Sequence, residues 1–149
     1  MTPDPIGEIR VRQATPEDLP AVRLQIAKVL LAAGYDPPSS RRDEDIDDPG
    51  YYEGAGRGLW VAHDARGVVV GCAAIDRGDQ GAAVLRRLAG IGLYALLSAA
   101  IQFAKRQRYQ RIETVIPPGM EDARTALAAN GFEASATGSL LYRRELGTV

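Results

Sequence analysis

Residues 82–92 constrain this chain more than any other stretch. An apolar, strand-like run over residues 82–88 enters Ala89-Gly90-Ile91-Gly92, and a long amphipathic helix opens at the glycines. The helix pattern covers residues 92–108. Leu93, Leu96, Leu97, Ala100, Ile101 and Ala104 share one face, and Lys105, Arg106 and Arg108 stand near the carboxyl end, where cations suit the helix dipole. Residues 111–116 then alternate as another strand. A strand, a helix and a strand in such quick succession call for a sheet with helices laid across it.

The flanking segments fit that plan. Residues 8–13 alternate around Ile9 and Val11, the pattern of a half-buried strand. Thr15-Pro16-Glu17-Asp18 supplies an N-cap, a proline at the first helical position and an acidic partner three residues after the cap. Leu19, Val22, Ile26, Val29, Leu30 and Ala33 then repeat at helical spacing until Gly34. Residues 35–57 are polar and acidic, and predict a short helix inside a mobile connection that contains Pro37-Pro38 and Ser39-Ser40. Residues 59–63 and 68–75 read as a hairpin turned by Asp64-Ala65-Arg66-Gly67, and residues 76–81 as a further turn. Pro117-Pro118-Gly119 breaks the fifth strand, residues 121–130 form a helix closed by Gly131, and residues 132–134 and 140–146 supply two last strands. The expectation is an α/β (α+β) fold, one domain over residues 1–149, with a mixed central sheet and helices on both faces.

Charge narrows the function. Lys plus Arg number 18 against 19 Asp plus Glu, so no broad basic surface invites nucleic acid. The longest apolar stretch, residues 93–101, is too short to cross a bilayer, which takes about 20 residues. The single cysteine, Cys72, has no disulfide partner and lies in an apolar run, which reads as a structural thiol in a reduced, cytoplasmic setting. No Cys and His cluster offers metal-ligand spacing, and His63, at a strand end without a sequence partner, reads as a surface residue.

The glycine turn admits two readings. Glycines let the backbone approach an anion, and the first N–H groups of a helix are unpaired and favoured by the dipole, so a pyrophosphate could rest there. Equally, Gly-x-Gly at a strand-to-helix junction can serve close backbone packing alone.

Order along the chain adds to this. The opening strand and helix over residues 9–19, Trp60-Val61-Ala62, the strand over residues 69–74, Leu85-Arg86-Arg87-Leu88, the run from Gly90 to Leu97, and residues 120–132 ending in Asn130-Gly131-Phe132 together resemble the GNAT superfamily of acyl-CoA-dependent N-acetyltransferases. The resemblance implies acetyl-CoA as co-substrate and direct attack by an amine of a small molecule or peptide on its thioester. It implies that Arg87, Gly90 and Gly92, with Ile91 between the glycines, form the family's Arg/Gln-x-x-Gly-x-Gly turn for the CoA pyrophosphate. The fourth strand, Val84, Leu85, Arg86, Arg87 and Leu88, would pair its backbone with the pantetheine arm and offer an N–H to the thioester oxygen. A homodimer is compatible with it.

Three features depart from the family. Fewer residues than usual separate the strand from the glycine turn, so the acetyl-CoA loop is shortened. Val84 stands where an acidic base is often found, and Leu127 where a tyrosine often protonates the thiolate. Replacement candidates are Tyr94, Tyr142 and Asp76, or water. The acidic stretch over residues 43–48 with the tyrosines after it lies where the family builds its acceptor pocket, which marks Asp45, Tyr51 and Tyr52 as substrate-binding candidates able to attract an ammonium group. The alternative is a catalytically degenerate fold that binds CoA, another ligand or a protein.

Overall fold

A computed structural model describes residues 8–35, 44–135 and 140–147. In chain order the elements are β1 (Arg10–Gln13), a 3-10 turn (Pro16–Asp18), α1 (Leu19–Ala32), α2 (Glu44–Asp47), a second 3-10 turn (Tyr51–Glu53), β2 (Gly58–His63), β3 (Val69–Arg77), β4 (Ala82–Gly90), α3 (Leu93–Arg106), β5 (Arg111–Val115), α4 (Glu121–Ala129), β6 (Glu133–Ala134) and β7 (Leu141–Glu145). The strands form one sheet in the order β1-β2-β3-β4-β5-β7-β6. Neighbours run antiparallel except β4 and β5, which are parallel because α3 carries the chain across the sheet between them.

Period-2 alternation sorts the strand side chains onto two faces. Trp60, Ala62, Ala73, Ile75, Ala83, Leu85 and Ile112 pack under α3 and α4 with Leu96, Leu97, Ala100 and Leu127. Leu59, Val61, Cys72, Ala74 and Ala89 pack under α1 with Val22 and Ile26, beside Ile46 of α2 and Tyr52. Both faces of the central strands are therefore covered, and β3 is buried from Gly71 to Asp76. Leu96 and Leu97 are completely buried, and truncating either to alanine removes about 2–5 kcal/mol.

Asp18 fixes the entry to α1. Its carboxylate accepts from the Thr15 backbone N–H at 2.8 Å and from both terminal nitrogens of Arg12, at 2.7 and 2.9 Å. Those Arg12 bonds, with the Thr15 N–H, lower the Asp18 pKa to about 2 despite partial burial.

The predicted elements appear in the predicted order, with one difference at the site. β4 does not stop at Leu88 but runs to Gly90, so the glycines end the strand instead of forming a separate loop. Pro37, Pro38, Ser39, Ser40 and Asp43 lie outside the described residues. Among the described residues no helix is long and apolar enough to cross a membrane.

Candidate active site

The parallel pairing of β4 and β5 covers Ala82 with Arg111, Ala83 with Ile112 and Val84 with Glu113, and then ceases. β5 turns toward β7 and stays paired to it as far as Val115. Beyond Val84, β4 keeps only β3 as a strand neighbour among the described residues, while Thr114 spans the opening by donating its hydroxyl to the Leu85 carbonyl at 2.9 Å. A cavity of about 360 Å³ fills the split, lined by Val84 to Ala89 on one side, Thr114 to Pro117 on the other, and Ile26, Val29 and Leu30 of α1 above. A second cavity of about 290 Å³ continues past Leu88, Ala89 and Gly90 to Leu93 at the start of α3. Beside the second cavity the carboxyl end of α1 touches the loop after β5. The Tyr35 hydroxyl donates to the Pro118 carbonyl at 2.7 Å, and a Cβ on Gly119 would lie 3.3 Å from the Ala33 carbonyl oxygen.

Inside the split, β4 is bulged. Cys72 faces Ala89 and Ala74 faces Arg86, so Arg87 and Leu88 share the space opposite Ala73, and Arg87 takes φ +61°. Consecutive strand residues normally point to opposite faces. Here the bulge sends both Arg86 and Arg87 to the α1 face, where they meet the same carboxylate. Arg87 Nε donates to Asp45 at 2.9 Å and its Nη2 bonds the other oxygen, while Arg86 Nη2 lies 3.5 Å from Asp45. The Tyr52 hydroxyl donates to Asp45 at 2.5 Å. Asp76 closes the cluster by accepting from Arg86 at 2.9 Å, Arg57 at 2.8 Å, the Tyr51 hydroxyl at 2.6 Å and the Arg77 N–H at 2.7 Å. The Arg57 guanidinium also sits over the Tyr51 ring, 4.5 Å from its centre.

These contacts fix the charge states. Burial disfavours ionised Asp45 and Asp76, yet the Arg87 and Tyr52 hydrogen bonds on Asp45, and those of Tyr51, Arg57 and Arg86 on Asp76, hold both carboxyls below the usual range. Burial first, and then the bond to Asp45, push the Tyr52 phenol far above its ordinary value. Cys72 is fully buried, which raises its thiol to about 12, and the thiol donates to the Arg87 carbonyl at 3.1 Å.

The glycines have packing reasons of their own. Gly90 faces Gly71 across the ladder at φ +89°, and a Cβ there would stand 2.2 Å from the Val70 carbonyl oxygen. At Gly92, with φ +84°, a Cβ would lie 2.8 Å from Ile9 and 3.0 Å from Ala62. The Ile91 N–H is bonded to Val70. What the turn leaves open is the amino end of α3, where Gly92 is the N-cap, no side chain caps the helix, and the first turn holds no acidic residue.

The sequence candidates fall into three groups. Asp45, Tyr51, Tyr52 and Asp76 join in one cluster with Arg86 and Arg87, but as an ion network in which both carboxylates are saturated. Tyr94 is more than half exposed on the first turn of α3, and the Tyr142 hydroxyl accepts from Arg124 Nε at 3.1 Å, so neither belongs to that cluster. Arg87, expected at the pyrophosphate, has its guanidinium turned to Asp45. Val84 lines the cavity, Leu127 is fully buried in the core, and His63 lies partly exposed at the end of β2. Arg57 and Thr114 are members that sequence reading missed. Nothing local marks them, whereas two adjacent arginines inside an apolar strand break its alternation and are the legible sign of the bulge.

The sequence matches no protein-family model and no curated protein. Solved structures do match over nearly the whole chain. A GNAT-family acetyltransferase from Staphylococcus aureus Mu50 superposes with a TM-score of 0.80 at 17% identity, covering 93% of this chain and 99% of its own. A GNAT protein from Kribbella flavida gives 0.73 at 20% identity, covering 94% and 99%. A GNAT phosphinothricin acetyltransferase from Sinorhizobium meliloti, solved with acetyl-CoA, gives 0.75 at 21% identity, covering 93% and 89%. With its seven-stranded mixed sheet, split between β4 and β5 and flanked by helices, this chain has the GNAT acetyltransferase fold.

Proposed function

We propose that the chain is an acetyl-CoA-dependent N-acetyltransferase acting on the amine of a small molecule or peptide. The observation that carries this reading is the loss of the β5 neighbour at Leu85, beside a cavity that leads to an uncapped helix amino terminus. An extended amide-bearing arm suits the open edge of β4, because strand backbone groups without a partner take up such an arm as they would another strand. Phosphates suit the amino end of α3, where free N–H groups and the dipole act in place of cationic side chains. Acetyl-CoA has both parts, and supplies an acetyl thioester for transfer.

The chain's own contribution is positioning. Thr114 holds the split open at a fixed width, and the contacts of Tyr35 with Pro118 and of Ala33 with Gly119 confine what threads the groove. Neither Asp45 nor Asp76 serves as a ready base, since each is ionised and fully engaged by arginine and tyrosine donors. In this reading the amine gives its proton to water and binds neutral, so turnover rises with pH until the acceptor ammonium has titrated.

Thermal unfolding tests the reading. Acetyl-CoA at about 100 times its dissociation constant should add about 2.7 kcal/mol. Ile91→Glu, an exposed change beside the amino end of α3, should abolish most of that gain while leaving the free protein as stable as before. No stabilisation of the wild type by acetyl-CoA overturns the reading. The saturated state of Asp45 and Asp76 favours a second one, a fold that binds CoA without catalysis, for which saturable binding with no turnover across an amine panel is the signature.

A further inference from the structure

The charge that meets the cavity is the reverse of what the acidic stretch over residues 43–48 leads one to expect. Asp45 and Asp76 are 3% and 7% exposed, and neither lines the cavity. Among the described residues, the charged side chains that do line it are Arg86 and Arg87. Within the cluster three guanidiniums, of Arg57, Arg86 and Arg87, stand against two carboxylates.

The three arginines are not equivalent. Arg87 has 12% of its side chain exposed and holds Asp45 through two nitrogens, so its fork is committed. Arg57 lies at the outer side, against Asp76 and the Tyr51 ring. Arg86 has one terminal nitrogen bonded to Asp76 and the other only 3.5 Å from Asp45, with a third of its side chain exposed. The planar guanidinium carries more donors than these contacts use, arranged to match a carboxylate. Among the described residues, an ammonium group entering the cavity would meet excess positive charge and no exposed carboxylate, whereas an anion would meet an oriented donor.

We infer that the acceptor of this site carries a carboxylate beside its amine, an amino acid or a close relative of one, and that Arg86 binds that carboxylate on the α1 face of β4, beside the split that takes the cofactor arm. The inference rests on the acetyltransferase reading for the word acceptor, but the carboxylate site stands on the cavity itself.

The test is binding of free L-amino acids and their matched primary amides, which differ in the carboxylate charge, titrated by calorimetry into the CoA-saturated protein. At least one acid should bind about tenfold or more tightly than its amide, the size expected of a charge-assisted hydrogen bond. Arg86→Gln should reduce that ratio to near one, and Arg86→Lys, which keeps the charge but not the fork, should retain part of it. Equal or better binding of the amides, no binding of any acid, or a preference that survives Arg86→Gln overturns the proposal. Circular dichroism reports folding of the variants, and stabilisation of the wild type by acetyl-CoA alone separates failure of the carboxylate site from failure of the cofactor reading. If Arg86→Gln does not fold, the wild-type ratio and its reduction in Arg86→Lys decide the matter.

Discussion

β4 is two strands in one. From Ala82 to Val84 it lies between β3 and β5, with Ala82 and Ala83 buried and Val84 half-buried at the edge of the cavity. From Leu85 to Gly90 it keeps β3 but loses β5, and here it carries a bulge, a left-handed arginine and two adjacent cations. The first half follows from pattern and burial. The second half tolerates features that would ruin a central strand because it borders a cavity and because Asp45 and Asp76 arrive from elsewhere to satisfy its charges. A strand's chemistry is thus set by its neighbours more than by its own residues.

The largest effect that would break this contrast is removal of the charge pair in the splayed half. Arg87→Ala leaves Asp45, 3% exposed, without its principal partner, and should lower stability by about 3–5 kcal/mol in chemical denaturation. A loss under about 1 kcal/mol would mean that the bulge is held by β3 alone. At the boundary between the halves, Thr114→Val removes the donor to the Leu85 carbonyl at nearly constant shape. It should cost about 1–2 kcal/mol, and hydrogen exchange should show faster exchange at residues 85–89 than at residues 82–84.

The smallest effect sharpens the comparison by moving away from the split. Arg12 and Asp18 form a two-nitrogen pair like that of Arg87 and Asp45, but Arg12 has 42% of its side chain exposed. The Asp18 pKa is lower when folded, about 2, than when unfolded, so its contribution is present above the ordinary carboxylate range and is lost as pH falls from about 4 through about 2. Solvent screening limits it to about 1 kcal/mol, and Asp18→Asn should remove that much of the pH dependence of unfolding in this window and no more.

Much of the fold could be read from residues alone. Helical spacing from Leu19 to Ala33 and from Leu93 to Ala104, the hairpin around Asp64 to Gly67, and Asn130-Gly131 after α4 each specify their element through local chemistry. The glycine turn was equally visible, but its meaning was divided. Gly90 and Gly92 are required by the nearness of Val70, Ile9 and Ala62, while the helix end that they leave uncapped is the feature suited to an anion. Residue spacing cannot separate those roles, because the atoms that would collide with a Cβ come from β2, β3 and the residue just before β1.

The sequence by itself determined the element order, the two apolar faces and the place of the strand-to-helix turn, all of which depend on side chains within a few residues of one another. Tertiary structure alone decided where β4 parts from β5, that a bulge brings Arg86 and Arg87 to one face, and that an acidic segment 42 residues away from Arg87 neutralises it instead of waiting for a substrate. Those outcomes depend on backbone geometry and on charges that meet only when the sheet has formed, and electrostatic pairing over such separations leaves no periodic trace in the chain.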